Sequence, residues 1–187
     1  MKKYQITEWC ASFLKNHIQP GDLCIDATMG NGNDTLLLSC LCGPSGQVHA
    51  FDIQEMALAN TQKRLQDADA PKNYTLHLES HTEMNKYAKA DTVSCIVFNF
   101  GYLPGGDHSM ATSAETSIAA MEQGLHLLKK GGMMSLCIYS GGDSGFEEKE
   151  QILAWLKTLD FRKYLVIRSD YYNRPNHPPI PVLVIRL

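Results

Sequence analysis

The chain has 187 residues, of which 44% are hydrophobic and 20% charged, and its formal net charge is −3. This balance is typical of a globular protein that buries one sizeable core, so we expect a single domain over residues 1–187. No apolar run approaches the roughly 20 residues that a bilayer-spanning helix needs. The negative net charge argues against strong, non-specific attraction to nucleic acid, although a local basic patch could still bind a folded RNA.

Predicted helices and strands alternate along most of the chain. The first helix, 6–18, follows a polar start that lacks the apolar core of a secretory signal, so we expect a cytoplasmic protein. Apolar, β-branched runs predict strands at 22–28, 47–52, 74–79, 92–99 and 132–139. Helical spacing predicts helices at 33–41, 55–67, 113–129 and 146–159, with a weakly helical stretch after residue 79. This alternation is typical of a doubly wound α/β sheet.

The end of the chain departs from the alternation. Residues 164–170 and 181–187 read as two strands, and the proline-rich segment between them is too short for a helical crossover. Such a connection permits an antiparallel pair only. A mostly parallel sheet of about seven strands with an antiparallel C-terminal pair is the outline of the class I (Rossmann-like) methyltransferases, whereas a dinucleotide dehydrogenase usually continues with further βα units.

The first strand-to-helix turn carries two glycines that suit a ligand. Gly30 and Gly32 allow a tight turn and a close backbone approach, and the helix that follows points its free N–H groups at the same place. The third glycine of a dinucleotide loop is absent, since position 35 is Thr35. The alternative interpretation is an ordinary tight turn capped by Asn33 or Asp34.

Two acids at strand ends favour S-adenosylmethionine over a dinucleotide. Asp26 ends the first strand, where a carboxylate is costly unless it meets a cation or donors. The ammonium group of S-adenosylmethionine offers that cation, and no pyrophosphate is repelled. Asp52 ends the second strand, twenty residues after Gly32, where a carboxylate can accept both ribose hydroxyls. Its alternative role is a helix N-cap, and Gln54 lies within reach of the same ribose or of the adenine edge.

The turns after the third and fourth strands supply the other candidates. Ser80 and His81 follow the third strand, beside the expected adenine, although an isolated histidine there is often a plain loop residue. Asn99 ends the fourth strand and begins a loop that resembles the Asn/Asp-Pro-Pro-aromatic loop of amino methyltransferases. There Asn99 and the Phe100 carbonyl would accept hydrogens from an amine while Tyr102 stacks on a base. The alternative is a flexible glycine-proline loop.

Five segments together resemble a bacterial family labelled rRNA methylases. They are DATMGNGNDT (26–35), FDIQ (51–54), ESHTEM (79–84), FNFGYLPGGDH (98–108) and YSGGDSGFEE (139–148). Characterised members of that family methylate the 5-aminomethyl group of the tRNA wobble uridine, with or without 2-thiolation. The resemblance implies S-adenosylmethionine as cofactor and a tRNA anticodon loop as partner. It also implies cofactor contacts by Asn31, Asn33, Asp52, Gln54, Ser80 and His81, and an acceptor side formed by Asn99, Tyr102, Asp107 and His108. His108 is a candidate to take the departing proton, and the alternative is a solvent-exposed loop histidine.

The C-terminal segment is a candidate RNA-contacting patch, with basic groups for phosphates and rings for stacking. Its residues are Arg162, Lys163, Arg168, Tyr171, Tyr172, Arg174 and His177. The alternative is a solvated strand edge. At the level of function, a small-molecule N-methyltransferase, a nicotinamide oxidoreductase and a non-catalytic cofactor-binding module remain the competing hypotheses, and a homodimer is left open.

The cysteines argue against a disulfide or metal framework. Cys24, Cys95 and Cys137 fall inside predicted strands, where a thiol behaves as a small hydrophobe. The sequence has no C-x-x-C pair and no pair of cysteines at zinc-ligand spacing from histidines. We therefore expect neither disulfides nor a metal site.

Overall fold

The computed structural model describes residues 5–101, 113–139, 143–175 and 178–187, with 143–146 described as backbone only. The helices are α1 (Ile6–His17), α2 (Asn33–Cys42), α3 (Glu55–Asp67), α4 (Ala114–Leu127) and α5 (Asp143–Leu156). The strands are β1 (Leu23–Asp26), β2 (Gln47–Asp52), β3 (Tyr74–Leu78), β4 (Val93–Phe100), β5 (Leu128–Ile138), β6 (Tyr164–Arg168) and β7 (Ile180–Arg186).

The strands form one seven-stranded sheet in the order β3-β2-β1-β4-β5-β7-β6. Strands β1 to β5 pair in parallel, and β7 pairs antiparallel with both β5 and β6. This confirms the predicted doubly wound sheet and its antiparallel C-terminal pair. The order reverses between β1 and β4, so the carboxyl ends of the parallel strands open a crevice there, where α/β proteins bind ligands.

The helices cover the sheet on both faces with apolar side chains. On one face, Met121 of α4 and Ile152 of α5 pack with Phe98 of β4 in a buried cluster. On the other face, Leu14 of α1 and Leu38 of α2 pack over the middle strands. Cys24, Cys42, Cys95 and Cys137 are buried within this packing, and the six cysteines are free thiols. Burial at about 25 cal/mol per Å² of apolar surface makes these faces the main source of stability.

Two boundaries differ from the predicted ones for physical reasons. Helix α4 ends at Leu127 and β5 begins at once at Leu128, four residues before the predicted strand, because Leu128 pairs with Val93 ahead of a register shift. The weakly helical stretch after β3 is a 3-10 helix, His81–Lys86, which Ser80 caps by accepting the N–H of Thr82 at 3.2 Å.

Among the described residues, no helix has the length and apolar character needed to cross a bilayer. Within the same part of the chain, no three His, Cys, Asp or Glu side chains are grouped in a way that could hold a metal ion.

Candidate functional site

A cleft of about 740 Å³ opens at the carboxyl ends of the parallel strands. Eight of the residues predicted from sequence line it: Gly30, Asn31, Asn33, Asp52, Gln54, Ser80, His81 and Asn99. Asp26 and Gly32 lie behind its wall. The predicted acceptor residues Tyr102, Asp107 and His108 fall outside the described residues. The cleft therefore brings together most of the predicted cofactor residues and, of the three predicted catalytic residues, Asn99.

The glycine loop is held in a left-handed conformation and braced from α3. Gly30 has φ of 50° and Gly32 has φ of 75°, a region that favours glycine. Thr61 Oγ1 of α3 donates to the Gly30 carbonyl at 3.1 Å, and Arg64 Nε donates to the Asn31 carbonyl at 2.5 Å. The loop thus presents its backbone, and the first turn of α2, to the cleft.

Gly32→Ala is expected to destabilise the loop more than a glycine substitution at an open site does. A Cβ on Gly32 would lie 2.9 Å from Thr61 Cα, whereas a Cβ on Gly131, at φ of 76°, would meet nothing within 4 Å. Gly131→Ala therefore isolates the cost of the backbone conformation. We expect Gly32→Ala to lose about 1–3 kcal/mol more in urea unfolding than Gly131→Ala, the scale of overpacking. Equal losses would mean that α3 yields to the added methyl.

Asp52 joins the loop to the start of α3. Its Oδ2 accepts the N–H of Gly30 at 3.1 Å, and its Oδ1 accepts the N–H of Gln54 at 3.0 Å. The N-cap of α3 is Gln54, so Asp52 does not take the alternative N-cap role. Each carboxylate oxygen has a second lone-pair site, so Asp52 can brace the loop and still accept hydroxyl hydrogens from the cleft.

The Asp26 carboxylate accepts hydrogen bonds from within the protein. It is fully buried, and it accepts hydrogen bonds from Thr35 Oγ1 at 2.6 Å and from the N–H of Thr28 at 3.2 Å. Burial, with the charge of Asp34 nearby, raises the pKa of Asp26 to about 7. Thr35, the residue in place of the third glycine, is thus the partner of this acid. The ammonium contact expected of Asp26 stays a prediction, and Thr35 and Thr28 supply donors to this carboxylate from within the protein.

Asp34 is a cleft residue that the sequence analysis treated only as a helix cap. It lines the cleft in the first turn of α2, and its Oδ2 accepts a hydrogen bond from Asn99 Nδ2 at 2.7 Å. The N–H of Asn99 donates to Thr28 Oγ1 at 2.8 Å, so Asn99 is held at both its backbone and its side chain. Burial raises the pKa of Asp34, and the hydrogen bond from Asn99 opposes this in part. The sequence signal for this role is the position of Asp34 directly after the glycine loop, residues 30–33.

The loop after β3 offers polar atoms that the described protein leaves unsatisfied. His81 Nε2 and Glu79 Oε2 are buried and have no hydrogen-bond partner among the described residues. Lys86 Nζ lies 3.7 Å from Glu79 Oε2, which is close enough for an ion pair but too far for a hydrogen bond. Burial lowers the pKa of His81, which favours a neutral ring with one donor and one acceptor nitrogen. Buried polar groups are normally paired, so a ligand with polar edges could pair with these two atoms.

The far wall of the cleft comes from α1, which sequence analysis predicted as a helix without a role. Thr7, Glu8, Ala11 and Lys15 line the cleft. Their spacing of three and four residues places them on one helix face. The Phe100 carbonyl, predicted to bind the acceptor amine, accepts the N–H of Tyr139 at 3.3 Å. A carbonyl oxygen has two lone pairs, so its contact with an amine stays a prediction.

The residues of the predicted RNA-contacting patch lie at two opposite ends of the strands, one of which carries the cleft. Because β6 is antiparallel to β7, the end of β6 and the segment after it lie at the cleft edge, with Arg168, Tyr171, Tyr172 and Arg174. Arg162 and Lys163 precede β6 at the opposite edge, and Arg162 pairs with Asp160 at 3.0 Å. His177 falls outside the described residues. The six described residues therefore do not form one continuous patch, and only the second group lies at the end of the sheet where the cleft opens.

Comparisons with known proteins agree with this fold. Residues 48–185 match the model of a family described as "Putative rRNA methylase". A protein of the same description from Clostridium thermocellum has a crystal structure that superposes with a TM-score of 0.94 at 43% identity, covering 98% of each chain. A methyltransferase-like protein from Streptococcus mutans, crystallised with S-adenosylhomocysteine, superposes with a TM-score of 0.87 at 36% identity, covering 97% of each chain.

A curated relative from Arabidopsis thaliana is named tRNA (mnm(5)s(2)U34)-methyltransferase, chloroplastic. It is 37% identical over 172 residues, which are 86% of this chain and 62% of the relative. The chain therefore spans about three-fifths of the length of that relative.

Proposed function

The chain belongs to the rRNA methylase family and is an S-adenosylmethionine-dependent methyltransferase of the class I fold. We propose that it methylates a primary amine on RNA. The proposed acceptor is the 5-aminomethyl group of a wobble uridine in a tRNA anticodon loop, with or without 2-thiolation. This proposal depends on the position of Asn99, whose side-chain amide is held at the end of β4 in the wall of the cleft. A neutral amide oxygen suits an amine N–H.

The cleft residues suit S-adenosylmethionine, which supplies an electrophilic methyl group on a sulfonium. Asp52 would accept the ribose hydroxyls at the end of β2. The first turn of α2 would bind the methionine portion with its free N–H groups, because the N–H groups of Gly30 and Gly32 already donate to Asp52 and to the Met29 carbonyl. His81 Nε2 and Glu79 Oε2, buried without hydrogen-bond partners among the described residues, would meet the adenine edge. Donors and acceptors are thus available along the whole length of the cofactor.

Asn99 would orient the acceptor amine in line with the methyl group. A cation next to the sulfonium is disfavoured, so the amine loses its proton on entering the cleft without a strong base. Its lone pair then forms the N–C bond as the C–S bond breaks, and the product amine releases one proton. His108 is the proposed acceptor of that proton, and Tyr102 the proposed stacking partner of the base. Orientation supplies most of the acceleration.

The surface beside the cleft fits an unpaired nucleotide. A wobble base is single-stranded and can enter a pocket without the cost of opening a duplex. Tyr172, whose residue surface is 99% exposed, follows β6 at the cleft edge with Tyr171 and Arg174. The name of the Arabidopsis relative, which specifies tRNA and U34, supports the same substrate class.

The test of this function is an assay on tRNA from cells whose modification stops at the aminomethyl stage. After incubation with S-adenosylmethionine, the tRNA is digested and its nucleosides are analysed by mass spectrometry. We expect the wobble nucleoside to gain the mass of one methyl group. Ribosomal RNA and a metabolite extract are assayed in parallel. Methyl incorporation into either of these, with the tRNA unchanged, would reject the proposed acceptor in favour of an rRNA or small-molecule N-methyltransferase.

Tyr172→Ala is expected to raise the KM for tRNA by about fivefold to a hundredfold and leave cofactor affinity unchanged, because base stacking contributes about 1–3 kcal/mol. Phe161→Ala is the matched control, since Phe161 is 81% exposed but precedes β6 at the opposite edge of the sheet. Steady-state kinetics with the acceptor tRNA measure both. Equal effects of the two variants would remove the segment after β6 from the RNA interface.

A further inference from the structure

We infer that Asp34 is a positioning residue for methyl transfer, whose carboxylate holds the amide nitrogen of Asn99 and so turns the Asn99 carbonyl oxygen toward the acceptor amine. The inference deepens the proposed function and rests on it, because it requires Asn99 to receive an amine. It adds a residue from the glycine loop to the acceptor half of the site.

The chemistry of the two side chains fixes which end of the amide faces Asp34. An ionised carboxylate accepts hydrogen bonds only, and an amide donates only through its nitrogen. At 2.7 Å between Asn99 Nδ2 and Asp34 Oδ2, the NH₂ group is therefore committed to Asp34. The carbonyl oxygen points away from that bond. Without Asp34, the amide could turn over and present a donor to an amine whose N–H groups need an acceptor.

The bond also links two elements of the site. Asp34 lies in the first turn of α2, where its charge favours the helix N-terminus as well. The partner of Asp34 lies 65 residues away on β4. Thr28 Oγ1, from the same loop region, accepts the N–H of Asn99. Two contacts from the β1–α2 turn therefore hold one amide on β4, as expected of a preorganised acceptor site.

Asp34 must be ionised for this lock to work. Burial raises its pKa, and a protonated Asp34 could donate to the Asn99 oxygen and release the amide nitrogen. The active, ionised form is therefore lost as pH falls through that raised pKa. Among the described residues, the titratable groups facing Asp34 are Asp26 on β1, Cys10 on α1, Cys95 on β4, and Cys137 and Tyr139 on β5, while Glu8 and Lys15 of α1 line the same cleft.

The closing experiment compares Asp34→Ala and Asp34→Asn with wild-type enzyme in single-turnover methylation at saturating cofactor. We expect Asp34→Ala to lower the rate about tenfold to a hundredfold, the effect of a misplaced reacting group. Asp34→Asn can still accept from Asn99 and should recover part of the loss. The affinity for S-adenosylhomocysteine should be unchanged in both. Asp67→Asn, at the exposed end of α3, is the charge-matched control.

A pH profile separates positioning from simple support of the fold. The wild-type rate should fall on the acid side with one ionisation more than the rate of Asp34→Asn, because the amine's own ionisation remains in both. Loss of cofactor affinity at an unchanged rate would overturn the inference and assign Asp34 to the cofactor. Identical pH profiles would overturn it as well. If Asp34→Ala fails to fold, Asp34→Asn alone decides. Wild-type enzyme that methylates a different acceptor rejects the proposed function, and the same variants are then compared on that acceptor.

Discussion

Asn99→Ala is expected to abolish turnover while leaving the affinity for S-adenosylmethionine nearly intact. The substitution removes the oxygen proposed to accept the amine N–H, and losing one preorganised hydrogen-bonding group at a reacting centre costs about 10²–10³ in rate. The fold should survive, because the N–H of residue 99 still donates to Thr28 Oγ1. Single-turnover methylation of the acceptor tRNA measures the rate, and calorimetry with S-adenosylhomocysteine measures the affinity.

Asn16→Ala is the matched control for this variant. Asn16 lies on the exposed part of α1, where its Nδ2 donates to the Ser12 carbonyl at 2.9 Å. It should change neither quantity. Turnover at the wild-type rate in Asn99→Ala would remove Asn99 from the mechanism. A loss of cofactor affinity with the rate retained would move Asn99 to the cofactor half of the site.

The sheet and the cofactor residues could be predicted because local patterns determine them. The strand 47–52 and the helix 55–67 were predicted with the observed bounds, since each has one clear periodicity and a polar boundary. In a parallel sheet, residues that directly follow the strands gather at one edge. Asp52, Ser80, His81 and Asn99 line one cleft for that reason.

The hydrogen-bond partners of Asp26 could not be predicted, because sequence does not reveal which donors a buried acid meets. The rule that a carboxylate at the end of an apolar strand needs donors or a cation was correct. Here the donors are Thr35 Oγ1 and the N–H of Thr28, within the protein itself. Asp34, eight residues later, reaches the cleft because the first turn of α2 points there. The path of the β1–α2 turn therefore decides that Asp26 is buried and that Asp34 lines the cleft.

The division of the basic segment is a consequence of strand length. Arg162 and Arg168 are six residues apart in sequence, but β6 extends between them at about 3.4 Å per residue. The two arginines therefore lie at opposite edges of the sheet, and each pairs with a neighbouring aspartate. Closeness in sequence indicated one patch, whereas extended backbone separates its two halves.

Asp52→Ala is expected to weaken the binding of S-adenosylmethionine by about 1.5–3 kcal/mol, the scale of a lost hydrogen bond to a charged group. The variant removes the carboxylate proposed to accept the ribose hydroxyls, and it also frees the N–H groups of Gly30 and Gln54. Calorimetry with S-adenosylhomocysteine measures the affinity, and urea unfolding without ligand measures any loss of loop bracing separately. Asp67→Ala, which removes an exposed carboxylate at the end of α3, is the control for net charge. Affinity equal to that of the control would mean that Asp52 only braces the loop and that another group binds the ribose.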